Sequence, residues 1–291
     1  MPLDILTIGE ALVEVMRTDI DQPLNQPGPF VGPYPSGAPF IFAVQAARLG
    51  LKTAAIGSVG ADAFGECLLN QLEAVGVVTD GVKRLADQTT GIAFVAYRAD
   101  GSRDFVFSLG AGGHITDDML QPALFAGARC FHIMGSTLSM SEAVLSVCHK
   151  ALEMALNAGA LISFDPNLRP ELLPPENARI AFAPFIAAAD IFLPTETELL
   201  QLSGADGCSV FTADGRMDVA GYAVREVDPT GAGDCFDAAF ISGILEGMPI
   251  REAAQLANAC GAIAVSAKGP MAGAKSRASV ERFMHDNPYQ G

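Results

Sequence analysis

The chain has 291 residues, with 33 acidic and 18 basic side chains and a net charge of −15. Half the residues are hydrophobic and 18% are charged, which excludes intrinsic disorder, since a disordered chain combines low hydrophobicity with dense charge. The acidity excludes a broad surface for nucleic acid or anionic membrane, because phosphates are repelled by such a field; a local anion site remains open. The length suits one large domain covering residues 1–291.

Leu3–Ile8 is a short apolar run ending at Gly9, the pattern of a buried strand. Gln22 to Ala47 is uncharged but dense in proline, which breaks helices, so it predicts a loop and not a membrane span. Within it Pro39–Leu49 reads as a helix opened by proline and stopped at Gly50. Thr53–Ile56 predicts a strand, and Phe64, Leu68, Leu72 and Val75 recur at helical spacing up to Gly76. Thr90–Leu109 changes rhythm: two β-rich runs flank Asp100-Gly101, a hairpin signal. This hairpin is expected to pair with Leu12–Met16 and Phe30–Tyr34 as a flap.

Alternation then resumes. Cys130–Met134, Leu161–Phe164 and Ile191–Leu193 predict strands, while Glu142–Asn157 and Ala178–Ala189 predict helices. Ala223–Val227 is strand-like, and Ala232–Glu246 and Ile250–Ala267 predict two long helices. This order implies a mostly parallel sheet with helices on both faces. Such sheets bind ligands at the carboxyl ends of their strands, so Gly9–Glu14, Ser36–Pro39, Asp165–Arg169, Pro194–Glu198 and Asp228–Asp234 are the loops to inspect. The six cysteines (Cys67, Cys130, Cys148, Cys208, Cys235, Cys260) are far apart and mostly beside apolar neighbours, so reduced core thiols are expected. With no basic stretch before the first apolar run, no leader is expected, and the chain reads as cytoplasmic.

Asp228-Pro229-Thr230-Gly231-Ala232-Gly233-Asp234 is the most informative stretch. Glycines at a helix start leave consecutive amides unobstructed, and the helix dipole adds positive potential, which together cradle an anion. Asp234 cannot bind that anion, since like charges repel; it suits a base taking a proton from a hydroxyl that attacks phosphate. From the residues alone, an ordinary glycine-rich turn with Asp234 favouring the helix N-terminus reads equally well. No G-x-x-x-x-G-K-[ST], no G-x-G-x-x-G after the first strand and no G-x-S-x-G elbow occurs. The four histidines, His114, His132, His149 and His285, form no zinc-type pair.

The late motif D-x-T-G-A-G-D-x-F, through Asp228, Thr230, Gly231, Ala232, Gly233, Asp234 and Phe236, resembles that of the ribokinase-like (PfkB-type) carbohydrate kinases. So do Gly9-Glu10, the early run Gly37-Ala38-Pro39 through Phe64-Gly65, Asp165-Pro166-Asn167-Leu168-Arg169 and Ala257-Asn258-Ala259, in the family's order. The resemblance implies a three-layer α/β/α fold with a small β-sheet lid from about 11–35 and 88–110, through which the family often forms homodimers. It implies transfer of the ATP γ-phosphoryl group to a primary sugar hydroxyl with Mg²⁺. Asp234 would be the general base, with the amides of Gly231, Ala232 and Gly233 as the anion hole. Glu14, Gly37, Ala38 and Arg169 would face the sugar. Thr195, Glu198, Gly204, Gly207 and Asn258 would serve the nucleotide, Glu198 through water on Mg²⁺, and Asp228 could help hold a monovalent cation such as K⁺.

The chain also departs from the family. Ser36-Gly37 stands for the usual Gly-Gly, Ile41 for an asparagine that contacts sugar, and Thr195 for an asparagine. Around Ser203–Asp206 the family's chain continues through a helix and a strand, roughly twenty to thirty residues by ordinary element lengths, which are missing here. A deletion that removed a central strand would split a parallel sheet, so the break reads more naturally as two stretches joined across a segment the sequence does not contain; a real deletion would weaken the ATP site. The Asp165–Arg169 loop resembles fructokinases and 2-keto-3-deoxygluconate kinases, where an arginine at the Arg169 position meets a sugar-acid carboxylate; it could equally serve the triphosphate or the loop. Phe30–Pro39 is similar to tagatose kinase-like members. A ketohexose or keto-sugar acid is therefore the expected acceptor. The rivals are a sugar- or nucleotide-binding pseudokinase and a dehydrogenase on a Rossmann sheet.

Overall fold

The computed structural model describes residues 2–100, 102–194, 207–212 and 215–287. Its strands are β1 (Ile5–Ile8), β2 (Leu12–Arg17), β3 (Phe30–Ser36), β4 (Thr53–Gly60), β5 (Val78–Leu85), β6 (Gly91–Tyr97), β7 (Arg103–Ser108), β8 (Cys130–Met134), β9 (Leu161–Asp165), β10 (Ile191–Phe192), β11 (Gly207–Thr212) and β12 (Gly215–Ala220). The helices are α1 (Ala38–Arg48), α2 (Ala63–Ala74), α3 (Pro122–Phe125), α4 (Gly135–Leu138), α5 (Glu142–Asn157), α6 (Pro175–Ala188), α7 (Ala232–Leu245), α8 (Ile250–Val265) and α9 (Arg277–Asp286).

β1, β4 and β8 are buried on both faces, as parallel strands covered by helices must be. They form a six-stranded sheet in the order β10-β9-β8-β1-β4-β5, with every pair parallel. Alternation along the strands divides the core. Leu6, Ile8, Phe131 and Ile133 pack with α5 and α6, while Ile5, Cys130 and Met134 pack with Phe42 and Ala46 of α1 and Ala238 and Ile241 of α7. This is the expected three-layer α/β/α arrangement. On the α1 side His132 stacks on Phe42 at 3.9 Å and meets Ser163 Oγ at 3.0 Å; burial pushes its pKa down to about 3, so it is a neutral core histidine.

The lid is a separate four-stranded sheet, β3-β2-β6-β7. β2 pairs antiparallel with β3 and parallel with β6, and β6 pairs antiparallel with β7, so the hairpin shares one sheet with the two early segments as expected, but pairs directly only with Leu12–Arg17, through which Phe30–Ser36 joins. Several elements differ from expectation. Residues 223–227 form no strand; instead Val227 and Asp228 donate their amides to the Val265 carbonyl at the end of α8, which leaves no ladder to join. β5 went unrecognised because it is an edge strand of charged and apolar residues without a period, and the β11–β12 hairpin and α9 were also unforeseen. The six strands pair without a gap, so the missing segment does not split the described sheet. Among the described residues no helix is long and apolar enough to cross a membrane.

The turn after β8 is packed to the limit: a Cβ at Gly135 would lie 1.9 Å from the Pro166 carbonyl oxygen and 2.6 Å from the Phe182 ring. Gly135→Ala is therefore expected to destabilise the fold by about 1–3 kcal/mol or more, read as a lower denaturant midpoint at unchanged slope.

Candidate active site

The carboxyl ends of β1, β8 and β9 converge on a cluster of carboxylates. Glu10, just after β1, accepts from Ser136 Oγ and Thr137 Oγ1, each at 2.8 Å; the approach is close because a Cβ at Gly9 would meet Thr137 Oγ1 at 2.3 Å. Asp165 ends β9 and accepts from the Asn167 amide at 2.9 Å, an Asx turn that sends the chain toward Arg169. The Arg169 guanidinium donates to the Leu168 carbonyl and lowers the pKa of Glu10, Glu14 and Asp234 electrostatically. Burial still outweighs it at all three.

The start of α7 is the stretch whose glycines suggest an anion cradle. Gly231 caps it in the left-handed region, φ 83°, and a side chain there would lie 2.5 Å from the Pro270 carbonyl oxygen, so only glycine fits. A Cβ at the exposed Gly233 would touch nothing within 4 Å, so this side of the helix start is open to a ligand. One residue further, Asp234 is only 6% exposed. Burial, then the charge of Asp165, pushes its pKa well above the usual carboxylate value. A raised pKa makes a carboxylate a stronger base, the property a hydroxyl-activating residue needs.

Glu14 on β2 is 2% exposed. Ser36 Oγ donates to its Oε2 at 3.2 Å, and Oε1 has no partner among the described residues. Burial, then Asp228, raises its pKa to about 7. Asp228 is fully engaged: Oδ1 accepts from Tyr97 Oη at 2.7 Å and the Thr230 amide at 3.0 Å, and Oδ2 accepts from the Gly269 amide at 2.8 Å.

The fold thus brings together Glu14, Arg169, Asp228 and Gly231 to Asp234. Gly37 is the N-cap of α1 at φ 98°; a Cβ there would meet the Glu10 carbonyl oxygen at 2.3 Å, so its glycine answers a backbone demand. Ala38 opens α1 and is half-buried. Ile41 is buried with its Cγ2 3.1 Å from the place of a Gly231 Cβ, an apolar wall against the cradle. Gly207 opens β11, and Asn258 donates its amide to the Val219 and Ala220 carbonyls at 3.1 and 3.0 Å, fastening β12 to α8. Thr195, Glu198 and Gly204, and the segment 203–206, lie outside the described residues. Sequence reasoning missed Glu10, Asp165, Tyr97 and Arg103 as site residues. Two of them stood in quoted motifs, while Tyr97 and Arg103 carried no local signal.

The described residues contain no group of three or more metal-type ligands. Of the three amides expected to form an anion hole, that of Ala232 already donates to the Pro229 carbonyl at 3.3 Å, which leaves those of Gly231 and Gly233 as the candidates for phosphate oxygens. A Mg²⁺ ion, which usually keeps several waters and is shared with substrate phosphates, would neutralise charge there.

The profile described as pfkB family carbohydrate kinase matches residues 3–206 and 202–277. The chain is 34% identical over 315 aligned positions to Fructokinase-1 from Oryza sativa subsp. japonica, covering 96% of this chain and 97% of that one. Those 315 positions exceed the 291 residues here, so the rice protein carries segments with no counterpart. An E. coli protein provisionally named ribokinase II, solved with ATP and Mg²⁺, superimposes with a TM-score of 0.90 at 38% identity, covering 98% of this chain and 100% of that one. Fructokinase from Xylella fastidiosa with bound ATP has a TM-score of 0.83 at 26% identity, covering 97% and 98%.

Glu14 generates a pH prediction. A carboxyl whose folded pKa is raised contributes stability that is complete below its unfolded pKa and is lost as pH rises through the folded value, here about 7. The ligand-free protein should therefore gain Tm on going from pH 8 to pH 6.5, by at most about 1.4 kcal/mol per pH unit from this group. Glu14→Gln should shrink that gain in a thermal melt, and an unchanged gain would show that Glu14 does not titrate there.

Proposed function

The chain belongs to the pfkB carbohydrate kinase family and is a sugar phosphotransferase; on that footing we propose that it transfers the γ-phosphoryl group of ATP to a primary hydroxyl of a neutral ketohexose of the fructose type. The observation that carries this reading is the buried carboxylate of Asp234, its pKa raised by burial, beside the open Gly233 face of a helix N-terminus. Asp234 accepts the hydroxyl proton as the sugar oxygen attacks the γ-phosphorus, and the bond from phosphorus to the ADP oxygen breaks. The amides of Gly231 and Gly233 meet the charge on the transferred group, the Ala232 amide being held by the Pro229 carbonyl.

The acceptor follows from charge. Glu10, Glu14, Asp165, Asp228 and Asp234 outnumber the arginines Arg103 and Arg169 that face them. A further carboxylate, from a sugar acid, would add repulsion, whereas hydroxyls can donate to Glu14 Oε1. The fructokinase relatives point the same way. Gly37 and Ala38 bound the sugar site, and Thr195, Glu198, Gly204, Gly207 and Asn258 serve the nucleotide. The lid carries the half-exposed Phe30 and Val106, in keeping with a homodimer formed through it. All six cysteines are free thiols, in keeping with a reducing, cytoplasmic compartment.

The test is a panel of fructose, tagatose, 2-keto-3-deoxygluconate, ribose and adenosine, with ADP release as readout. Fructose or tagatose should give the highest kcat/KM, and Asp234→Asn should lower kcat by about 10²–10⁴-fold with little change in sugar KM. A preference for 2-keto-3-deoxygluconate that Arg169→Ala abolishes would overturn the neutral-sugar assignment. Binding of ATP and sugar without ADP release would establish the pseudokinase instead.

A further inference from the structure

Tyr97 and Arg103 of the lid are cross-strand partners in the β6–β7 register, and both reach across to the anion cradle. Tyr97 Oη donates to Asp228 Oδ1 at 2.7 Å, Thr230 Oγ1 lies 3.2 Å from Tyr97 Oη, and Arg103 Nη1 donates to Thr230 Oγ1 at 3.0 Å. The donors order this chain. A guanidinium only donates, and the one Tyr97 proton goes to the carboxylate, so the Thr230 proton points to the Tyr97 oxygen. A cation at one end and a carboxylate at the other are thus joined through two hydroxyls, each polarising the next.

The receiving end is rigid. Asp228 also holds the Thr230 and Gly269 amides. A Cβ at Gly269 would sit 2.9 Å from the Tyr34 ring, so lid strand β3 lies against the same loop. Thr230 directly precedes Gly231, which is wedged between the Pro270 carbonyl and Ile41. A displacement of Thr230 is therefore passed along the backbone to the amides that follow.

We propose that Arg103, Thr230, Tyr97 and Asp228 form a latch that couples the seating of the lid to the geometry of the phosphate cradle, with Tyr97, Arg103 and Thr230 as positioning residues. The sugar-binding half, under the lid, and the phosphate-binding half are then set by one hydrogen-bonded chain. The consequence for turnover rests on the kinase reading; the latch itself does not.

Hydrogen–deuterium exchange on the ligand-free protein tests it independently of activity. Tyr97→Phe removes one hydroxyl, and Thr230→Val removes the other at nearly constant shape, while Thr230→Ser keeps it. Tyr97→Phe and Thr230→Val should each speed exchange at least fivefold in both the lid, 92–108, and the cradle, 230–234, leaving β1 and β8 unchanged. Thr230→Ser should behave as wild type. In turnover the same two variants should lower kcat and raise the KM for both sugar and ATP, with Thr230→Ser restoring all three. Unchanged exchange in the cradle, equal acceleration in β1 and β8, or Thr230→Ser behaving like Thr230→Val would each overturn the latch. Altered exchange in a protein that phosphorylates no sugar would support the latch and reject the kinase reading.

Discussion

A carboxylate that is to take a proton beside bound phosphate must be held away from water, because solvation would make it a weak base. Asp234, the proposed base, is held in that way in the first turn of α7, with its side chain turned into the protein. Each unit of raised pKa corresponds to about 1.4 kcal/mol of penalty on the ionised form, so the surrounding structure must tolerate a standing cost. Burial raises the pKa, Asp165 raises it further, and Arg169 limits the rise. The rest of the site can be understood as managing that charge.

The scaffold absorbs the cost because it is otherwise apolar and closely packed. Strands buried on both faces put their polar ends at one edge of the sheet, where loops and not ladders carry the backbone. There Glu10 is satisfied by two hydroxyls and Asp228 by three donors. Glu14 differs, since one oxygen lacks a partner. Buried acceptors normally have donors, and an unfilled one within the carboxylate cluster suits a ligand hydroxyl. The net negative charge of the chain is no obstacle to phosphate binding, because backbone amides and a helix dipole act locally, whereas the field of distant surface charges is screened within about 8–10 Å at ordinary salt.

The fold was readable where patterns are local. Cys130–Met134 and Glu142–Asn157 appear with the expected bounds, because a short apolar run and a long amphipathic period each carry their own signal. The lid was readable too, through Asp100-Gly101 between two β-rich runs. β5 was not, since an edge strand with mixed exposure has no period to detect. Residues 223–227 misled in the opposite direction: their composition is strand-like, but they pair with no strand and the Val227 amide is taken by the end of α8. The tight turn at the start of α7 was readable because glycine spacing reports a backbone requirement, and Gly231 at positive φ against a carbonyl is that requirement met.

By itself the sequence determined the α/β class and the glycine-rich start of α7, and singled out Asp234 as the candidate base, since hydrophobic period, helix starts and glycine positions are properties of neighbouring residues. Only the tertiary structure decided which carboxylates are dry, which are neutralised and which stay open. Tyr97 and Asp228 are 131 positions apart and Glu10 and Thr137 127 apart, yet each pair shares a hydrogen bond. No local pattern encodes such pairings, because burial and Coulomb interactions depend on distance in space, which the packing of the sheet, helices and lid sets.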